Sequence, residues 1–216
     1  MLKRFLHRGI IEAGLDEAGR GPLFGRVYAA AVILPQDSEY FDHSRMKDSK
    51  KFTNKNNLLA TYHYIKDHAL DYNVAWSSAE EIDKYNIRNA TYKTMHKAID
   101  GLNIRPDLLL VDGNDFIPYI KVTNDEDDFK SIPHDCIIKG DNTFASIAAA
   151  SILAKVERDK YISDICDKHP KYRERYGLHK NKGYGAKVHI NGIHKYGITE
   201  YHRKTFGVCK NFIHKN

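Results

Sequence analysis

Apolar stretches of strand length recur along the chain, each bounded by turn-forming residues. They cover residues 9–15, 25–34, 71–77, 107–111 and 136–138. Short apolar runs between clusters of Gly, Pro, Asn and Asp are typical of buried strands. Only a Gly-rich turn separates the first two, and a connection that short joins antiparallel strands. The pattern therefore predicts a mixed sheet.

Three longer segments have the periodicity of helices: residues 55–69, 86–102 and about 142–168. In the second, Ile87, Thr91, Met95, Ala98 and Leu102 share one face. The third is apolar nearly all round in its first half, which is typical of a helix packed between other elements. Strands followed by helices indicate an α/β fold, with a mixed β-sheet flanked by helices. No linker is apparent, and residues 166–216 predict a small C-terminal helical lobe beside a core of residues 1–165.

The charge of the chain is unevenly distributed. Its formal net charge is +6, but residues 166–216 hold 12 Lys and Arg against 3 Asp and Glu, which leaves −3 for the first 165 residues. Tyrosines are interleaved with these basic residues, and cations with aromatic rings are what a nucleic-acid-binding face needs. A solvated basic surface would have the same charge. Charge alone leaves both interpretations open.

The sequence lacks the signals of export and of membrane insertion. Its longest apolar run, residues 147–153 with flanking alanines, is too short to cross a bilayer. The first eight residues lack the apolar core of a signal peptide. The cysteines Cys136, Cys166 and Cys209 are odd in number and far apart, so reduced thiols are expected. We expect a cytoplasmic protein with no membrane partner.

Carboxylates end three of the apolar elements. Asp16 and Glu17 close the first strand, Asp112 closes the fourth, and Asp141 precedes the long helix. Each has an ordinary alternative: an exposed turn for Asp16, Glu17 and Asp112, and a helix N-cap for Asp141. Together they indicate one oxygen-rich site, because Mg²⁺ and Mn²⁺ prefer oxygen ligands and two such ions can clamp a phosphoryl transfer. The Gly-rich turn after Glu17 is expected to direct both adjacent carboxylates inward.

The chain resembles the ribonuclease HII family from about Ile10 to Phe206. The matching blocks follow in the family's order: GLDEAGRGP at 14–22, DSKK at 48–51, EIDKYNI at 81–87, VDG at 111–113, KGD at 139–141, AAASILAKV at 148–156 with Arg158 and Asp159, HKNKGYG at 179–185, and HR at 202–203. Each block alone is modest evidence, whereas this many in one order is highly specific. The related ribonuclease HIII enzymes have a long extra N-terminal domain before the same core. Here the resemblance to the core begins at about Ile10, which favours HII.

The resemblance implies a ribonuclease H-like core whose groove is completed by the C-terminal lobe. It assigns two divalent ions, Mn²⁺ or Mg²⁺, to the catalytic carboxylates Asp16, Glu17, Asp112 and Asp141. It implies that the turn of Gly19, Arg20 and Gly21 contacts the ribonucleotide at its 2′-hydroxyl. Tyr184 would pack on the deoxyribose 3′ of the ribose, and the phosphates would be bound by Lys50, Lys180 and Lys182.

Several features depart from the family pattern or suggest other chemistry. Asp112 and Asp141 lie 29 positions apart because of an acidic segment, residues 123–130, which lacks the ligand alternation of a calcium loop and is expected to be a solvated, mobile loop. Bulky or charged Phe24, Arg26 and Tyr28 predict an unusual environment for the second strand. Trp76 is expected in the core. His202 is interpreted as structural or close to the substrate.

The sequence thus predicts an endonuclease that hydrolyses the phosphodiester 5′ to a ribonucleotide and leaves 3′-hydroxyl and 5′-phosphate ends. Its substrates would be RNA:DNA hybrids and DNA duplexes with embedded ribonucleotides, bound by a monomer. A catalytically silent nucleic-acid-binding module would need the basic lobe but not the three carboxylate sites. A two-metal phosphatase would need the carboxylates but not the basic lobe.

Overall fold

A computed structural model describes residues 1–37, 39–122 and 129–212 and contains a five-stranded mixed sheet. Its strands are β1 (Glu12–Ala18), β2 (Val27–Ile33), β3 (Asp71–Ser77), β4 (Leu108–Asp112) and β7 (His134–Ile137). They lie in the order β3-β2-β1-β4-β7. The pairs β1–β2 and β2–β3 are antiparallel, whereas β1–β4 and β4–β7 are parallel. The predicted α/β fold with a mixed sheet is confirmed.

Helices cover both faces of the sheet. They are α1 (Lys55–His68), α2 (Ala79–Asp100), α3 (Ala145–Lys168), α4 (Pro170–Tyr176), α5 (Leu178–Asn181) and α6 (Lys187–Tyr196). Alternate residues of β2 divide between the faces: Ala30 and Val32 pack with α1 and α3, and Ala29 and Ala31 with α2. Every residue of β2 is therefore buried, as expected for a strand covered on both sides.

The backbones of β1 and α3 approach each other closely at Gly14. A Cβ atom there would lie 2.2 Å from the carbonyl carbon of Ser146 and 2.4 Å from the amide nitrogen of Ile147. The small residues of α3, including Ala148 and Ala149, are fully buried in the same layer. The apolar first half of the long helix thus packs directly on the strand that contains Asp16.

Two elements differ from the prediction. The helix expected from residue 86 begins at Ala79 with a capping box between Ser78 and Glu81, and it breaks at Asn86, whose φ is 63°. A second sheet, the hairpin of β5 (Tyr119–Val122) and β6 (Phe129–Ile132), was not predicted. The acidic segment joins these two strands, and residues 123–128 lie outside the described residues.

The expectation that Trp76 belongs to the core is wrong. Its relative exposure is 41%, and the guanidinium of Arg26 lies 3.4 Å from the centre of its ring. Arg26 also lies 4.6 Å from the ring centre of Tyr161. Because β3 is an edge strand, Trp76 is covered by this cation–π contact instead of by a neighbouring element.

The C-terminal lobe packs around Phe24, which is fully buried. Its apolar cluster joins Ile162 and Ile165 of α3 to Tyr176, Leu178 and Ile193 of the lobe. Residues 199–203 lie along the segment before β2, where the Gly25 amide donates to the Tyr201 carbonyl and the Arg203 amide to the Leu23 carbonyl. Within the described residues, no helix is both long and apolar enough to cross a membrane.

Candidate active site

Three of the four predicted carboxylates, Asp16, Asp112 and Asp141, lie near the carboxyl ends of the parallel strands β1 and β4. The parallel register pairs Leu15 with Val111, so Asp16 and Asp112 follow one step further along adjacent strands. The Gly140 amide donates to Asp112 Oδ1 at 2.7 Å, which brings the next residue, Asp141, to the same edge. Asp16 and Asp141 are buried. The carboxyl ends of parallel strands are where α/β sheets place their ligands.

The side chain of Glu17 lies on the opposite face of β1 from that of Asp16. Antiparallel pairing with β2 continues regularly to Ala18, so the turn expected to direct both carboxylates inward begins only after them. Side chains alternate along a regular strand. Glu17 instead lines two adjoining cavities, one shared with Gly19 and Tyr184 and a smaller one shared with Asp112.

Asp141 does not cap the long helix. It lies in the 3-10 helix Gly140–Asn142, whereas α3 begins at Ala145 with Phe144 at its N-cap position. The side-chain amide nitrogen of Asn142, Nδ2, donates to Asp141 Oδ1 at 2.9 Å. The same Asn142 nitrogen lies 3.4 Å from Asp48 Oδ2, so Asp48 is a further buried carboxylate near the site. Sequence reasoning gave Asp48 no role, although it belongs to one of the matching blocks.

The site carries an excess of negative charge. Burial raises the pKa of Asp16 well above its ordinary value, and the charges of Glu17 and Asp112 raise it further. Burial also raises the pKa of Glu17, against the opposing effect of Arg20. For Asp141, burial and the charge of Asp112 raise the pKa. Protonation is therefore favoured wherever no cation neutralises these groups.

Lys50 is a cation that faces this cluster. It lies in the 3-10 helix Ser49–Lys51, which Asp48 caps by accepting the Lys50 amide at 2.9 Å. Burial opposes the charged form of Lys50, but the negative charges of Asp48, Asp141, Asp16 and Asp112 outweigh it and raise the pKa of the ammonium group. One ammonium group near several carboxylates leaves the site negative.

The donor set fits a divalent cation of the hard, oxygen-preferring kind. No three Asp, Glu, His or Cys side chains within the described ranges converge closely enough to cage a metal ion by themselves. Mg²⁺ is commonly held by one or two carboxylates together with waters and substrate phosphates, so an open arrangement of carboxylates suits it. Asp16, Asp112 and Asp141 are the residues that would hold such an ion, and Glu17 would do so from the other face.

A groove of about 350 Å³ adjoins Glu17. It is lined by Gly19, Arg20, Gly21, Lys50 and Tyr184, together with Ser49, Ser151, Lys155 and Arg158. The Tyr184 ring is half-exposed, and a Cβ on Gly21 would lie 3.6 Å from it. Gly19 has φ +94°, and a Cβ there would lie 2.1 Å from Arg158 Nε. Only glycine fits at that point of the turn.

Two buried arginines donate to backbone carbonyls around the groove, and sequence reasoning assigned neither a role. Arg203 is fully buried and donates to the carbonyls of Gly19 at 2.6 Å, Arg20 at 2.8 Å and Gly25 at 2.9 Å. Arg158 donates to Lys182 at 3.0 Å and to Phe24 at 3.3 Å, again at the carbonyls. Burial lowers the pKa of Arg203 to about 9. Both residues belong to blocks of sequence that match the family, and that match was the only indication of a role in the sequence.

The two lysines predicted to bind phosphate do not line this groove. Lys180 is exposed on α5. Lys182 is half-buried with φ 51°, and its Nζ donates to Ser163 Oγ at 3.2 Å. Burial lowers the pKa of Lys182. The structure thus brings together Lys50, the turn and Tyr184, and places Lys180 and Lys182 beyond them.

Comparison with known proteins agrees with this arrangement. A model of the family described as Ribonuclease HII matches residues 13–209. Ribonuclease HII of Parabacteroides distasonis is 46% identical over 206 residues, which cover 95% of this chain and 94% of that protein.

Solved structures show the same fold. The crystal structure of ribonuclease H2 from Pyrococcus horikoshii OT3 has a TM-score of 0.73 at 22% identity and covers 94% of this chain and 97% of that one. The structure of Bst-RNase HIII in complex with Mn²⁺ has a TM-score of 0.61 at 20% identity, covering 94% and 69%.

Proposed function

Because the chain belongs to the ribonuclease HII family and is a ribonuclease H endonuclease, we propose that Asp16, Glu17, Asp112 and Asp141 carry out its hydrolysis. The observation that supports this assignment is that Asp16 and Asp112 follow paired residues of adjacent strands, with Asp141 next to Gly140, which donates to Asp112. Glu17 lines the neighbouring groove together with Lys50 and Tyr184. The bond cut is the phosphodiester 5′ to a ribonucleotide, which leaves a 3′-hydroxyl and a 5′-phosphate.

The cofactor of this reaction is a pair of divalent ions, Mg²⁺ or Mn²⁺. Bound there, they supply Lewis-acid stabilisation of the phosphate and lower the pKa of the attacking water. Support comes from the oxygen donors, the raised pKa values of Asp16 and Asp141, and the Mn²⁺ complex of Bst-RNase HIII. Lys50 faces the same carboxylates and binds the phosphate beside the cut, since a cation there offsets charge on both sides.

Selection of a ribose belongs to the turn and Tyr184. Arg203 donates to the carbonyls of Gly19 and Arg20. These hydrogen bonds hold the backbone of residues 19–21 at the groove, where it contacts the 2′-hydroxyl. The exposed half of the Tyr184 ring, next to Gly21, packs on the deoxyribose 3′ of the ribose. Lys180 and Lys182, in the lobe of residues 166–216, bind phosphates further along the duplex.

The substrates we propose are RNA:DNA hybrids and DNA duplexes with embedded ribonucleotides. We propose that the enzyme acts as a monomer. The three cysteines are free, which is compatible with a reducing compartment, and we propose the cytoplasm. Residues 1–165 would form the catalytic core and residues 166–216 the lobe that completes the groove.

The test is digestion of a duplex that contains one ribonucleotide, with the product ends mapped. Cleavage should occur on the 5′ side of the ribonucleotide and stop when a chelator is added. Asp16→Asn, Asp112→Asn and Asp141→Asn should each lower kcat by at least about 100-fold, because each removes several kcal/mol of transition-state stabilisation. Duplex binding, which rests on phosphate contacts elsewhere, should persist.

The matched control is Asp135→Asn, which changes an exposed carboxylate on the neighbouring strand. It should keep full activity. A variant among the three that cleaved as fast as this control would remove that residue from the catalytic set. Cleavage that survived chelation would contradict the role of divalent ions.

A further inference from the structure

Two histidines of the C-terminal lobe form a buried pair behind Tyr184. His189 lies in the first turn of α6, and His202 lies in the loop that packs on Phe24. Their relative exposures are 0% and 1%. The rings of Phe24 and Tyr176 pack edge-on against both. Neither histidine lines the groove or touches the carboxylates, so the proposed chemistry gives them no part.

Hydrogen bonds join the pair to backbone groups at both ends. His202 Nδ1 accepts from the Thr199 amide at 2.9 Å. The two Nε2 atoms lie 3.1 Å apart. His189 Nδ1 lies 2.9 Å from the carbonyl oxygen of Tyr184. A continuous chain of hydrogen bonds thus runs from the loop at Thr199 to the residue that we propose reads the sugar.

The backbone groups fix where the protons lie. An amide N–H only donates, so His202 Nδ1 must accept and its proton must be on Nε2. That Nε2–H donates to His189 Nε2, which must therefore be unprotonated. The remaining proton of His189 is on Nδ1 and donates to the Tyr184 carbonyl, which only accepts. Both rings are neutral, in opposite tautomers, because a second proton on either ring would set two donors against each other.

We propose that His189 and His202 are positioning residues for Tyr184, through this one-directional hydrogen-bond relay. The Tyr184 carbonyl also accepts the Ala186 amide at 2.8 Å, a local contact within the same loop. The relay adds a contact from outside the loop and ties Tyr184 to the segment that contains Arg203. Arg203 holds the turn opposite Tyr184. Adjacent residues, His202 and Arg203, therefore fix the spacing between the two walls of the groove.

This inference rests on the proposed function of Tyr184, but its first test does not. In ¹⁵N NMR of the whole protein, His202 should show the Nε2–H tautomer and His189 the Nδ1–H tautomer, and both should stay neutral at pH 6. Burial lowers the pKa of both rings, that of His202 to about 3. The same tautomer in both rings, or a charged ring at pH 6, would overturn the relay.

The second test uses two substitutions that each keep half of the relay. In His189→Asn, the side-chain amide keeps a donor where Nδ1 of His189 lies and loses the acceptor for His202. In His189→Gln, the side-chain amide keeps an acceptor where Nε2 of His189 lies and loses the donor to Tyr184. The measured quantity is the ratio of kcat/KM on a duplex with one ribonucleotide to kcat/KM on a uniform RNA:DNA hybrid. His189→Gln should lower this ratio about 3- to 10-fold, as expected for one lost hydrogen bond. His189→Asn keeps the direct bond to Tyr184 and loses only the bond to His202, so it should lower the ratio less.

Tyr184→Ala, measured in parallel, separates the possible failures. If it lowers the ratio and His189→Gln does not, the positioning role is wrong and the reading of the sugar by Tyr184 stands. If Tyr184→Ala itself leaves the ratio unchanged, the proposed role of Tyr184 is wrong and this inference falls with it. If His189→Asn and His189→Gln lower the ratio equally, in proportion to the fall in their melting temperatures, the two histidines have only a packing role.

Discussion

At the scale of single residues, the proposed function assigns reactivity and selectivity to different side chains. The turn and Tyr184 line the groove, whereas Asp112 lines the adjoining smaller cavity, and Glu17 lines both. The charged ends of buried Arg203 and Arg158 donate to backbone carbonyls, and that of Arg158 also lies 5.9 Å from the centre of the Tyr184 ring. A change in the choice of substrate should therefore be separable from a change in the hydrolysis step.

Tyr184→Ala makes that separation measurable. The ring would lose its contact with the deoxyribose, and such aromatic contacts are worth roughly 1–3 kcal/mol, or about 5- to 150-fold in rate. Cleavage at a single embedded ribonucleotide should fall more than cleavage inside a long RNA:DNA hybrid. Tyr184→Phe keeps the ring and should cost less on the first substrate. Equal losses on both substrates, with a lower melting temperature, would make Tyr184 a packing residue.

At the scale of elements, the contact between β1 and α3 determines where Asp16 lies. Gly14→Ala would place a methyl group within 2.2–2.6 Å of the Ser146 and Ile147 backbone, and a helix backbone cannot give way as a flexible side chain does. We expect a loss of roughly 1–3 kcal/mol or more in the free energy of unfolding, measured by denaturant titration. Gly185→Ala is the control, since its Cβ would meet Leu23 at an ordinary 3.5 Å. Equal stability of the two variants would contradict the close packing.

Prediction from sequence succeeded where apolar runs were uninterrupted. The predicted third strand, 71–77, matches β3, and α1 and α3 lie within a few residues of their predicted bounds. The hairpin of β5 and β6 was missed because its strands are short and the acidic segment between them dominates the local pattern. The early start of α2 did have a signal in Ser78 and Glu81, a capping box, but the break at Asn86 hid the continuity of the two halves.

The candidate site shows a similar division. Asp16, Asp112 and Asp141 adjoin apolar runs in the sequence, so the α/β topology was enough to predict that they lie near one another. The roles of Arg158 and Arg203 did not, because arginine is rarely buried without an acidic partner and a sequence does not show which carbonyls lie nearby. Asp16 and Glu17 lie on opposite faces because the regular pairing of β1 extends past both of them. The Gly-rich sequence that follows them suggested an earlier end of the strand.

At the scale of the whole molecule, the basic lobe should govern affinity for the duplex. Each phosphate neutralised by a lysine contributes about 0.9 to the slope of log affinity against log salt. Replacing Lys180 and Lys182 by Gln should therefore lower the slope by roughly 2, as measured by fluorescence anisotropy. The matched control replaces Arg8 and Lys121, which pair with Asp37 and Asp100 at the other end of the sheet. An unchanged slope in the first variant would mean that the two lysines bind no phosphate.

Acid should destabilise the protein through the buried histidines. The pKa of His202 in the folded state is lowered to about 3 by burial and by His189, against 6.5 ordinarily. The unfolded chain thus binds the proton first, so this contribution to stability is present above pH 6.5 and is lost as the pH falls toward 3. Below pH 6.5, the advantage of the wild type over His202→Gln should shrink by about 1.4 kcal/mol per pH unit. A constant difference between pH 7 and 5 would contradict a neutral buried ring.

The hydrogen bond from Arg203 to the Gly19 carbonyl joins residues 184 positions apart. On a ribosome, which adds about 5–20 residues per second, Arg203 is made on the order of 3 to 12 seconds after Asp141. When Asp141 has been made, all four carboxylates have been translated, whereas His202 and Arg203 have not. The order of synthesis thus completes the carboxylates that we propose are catalytic before the residues that we propose hold the substrate-selecting groove.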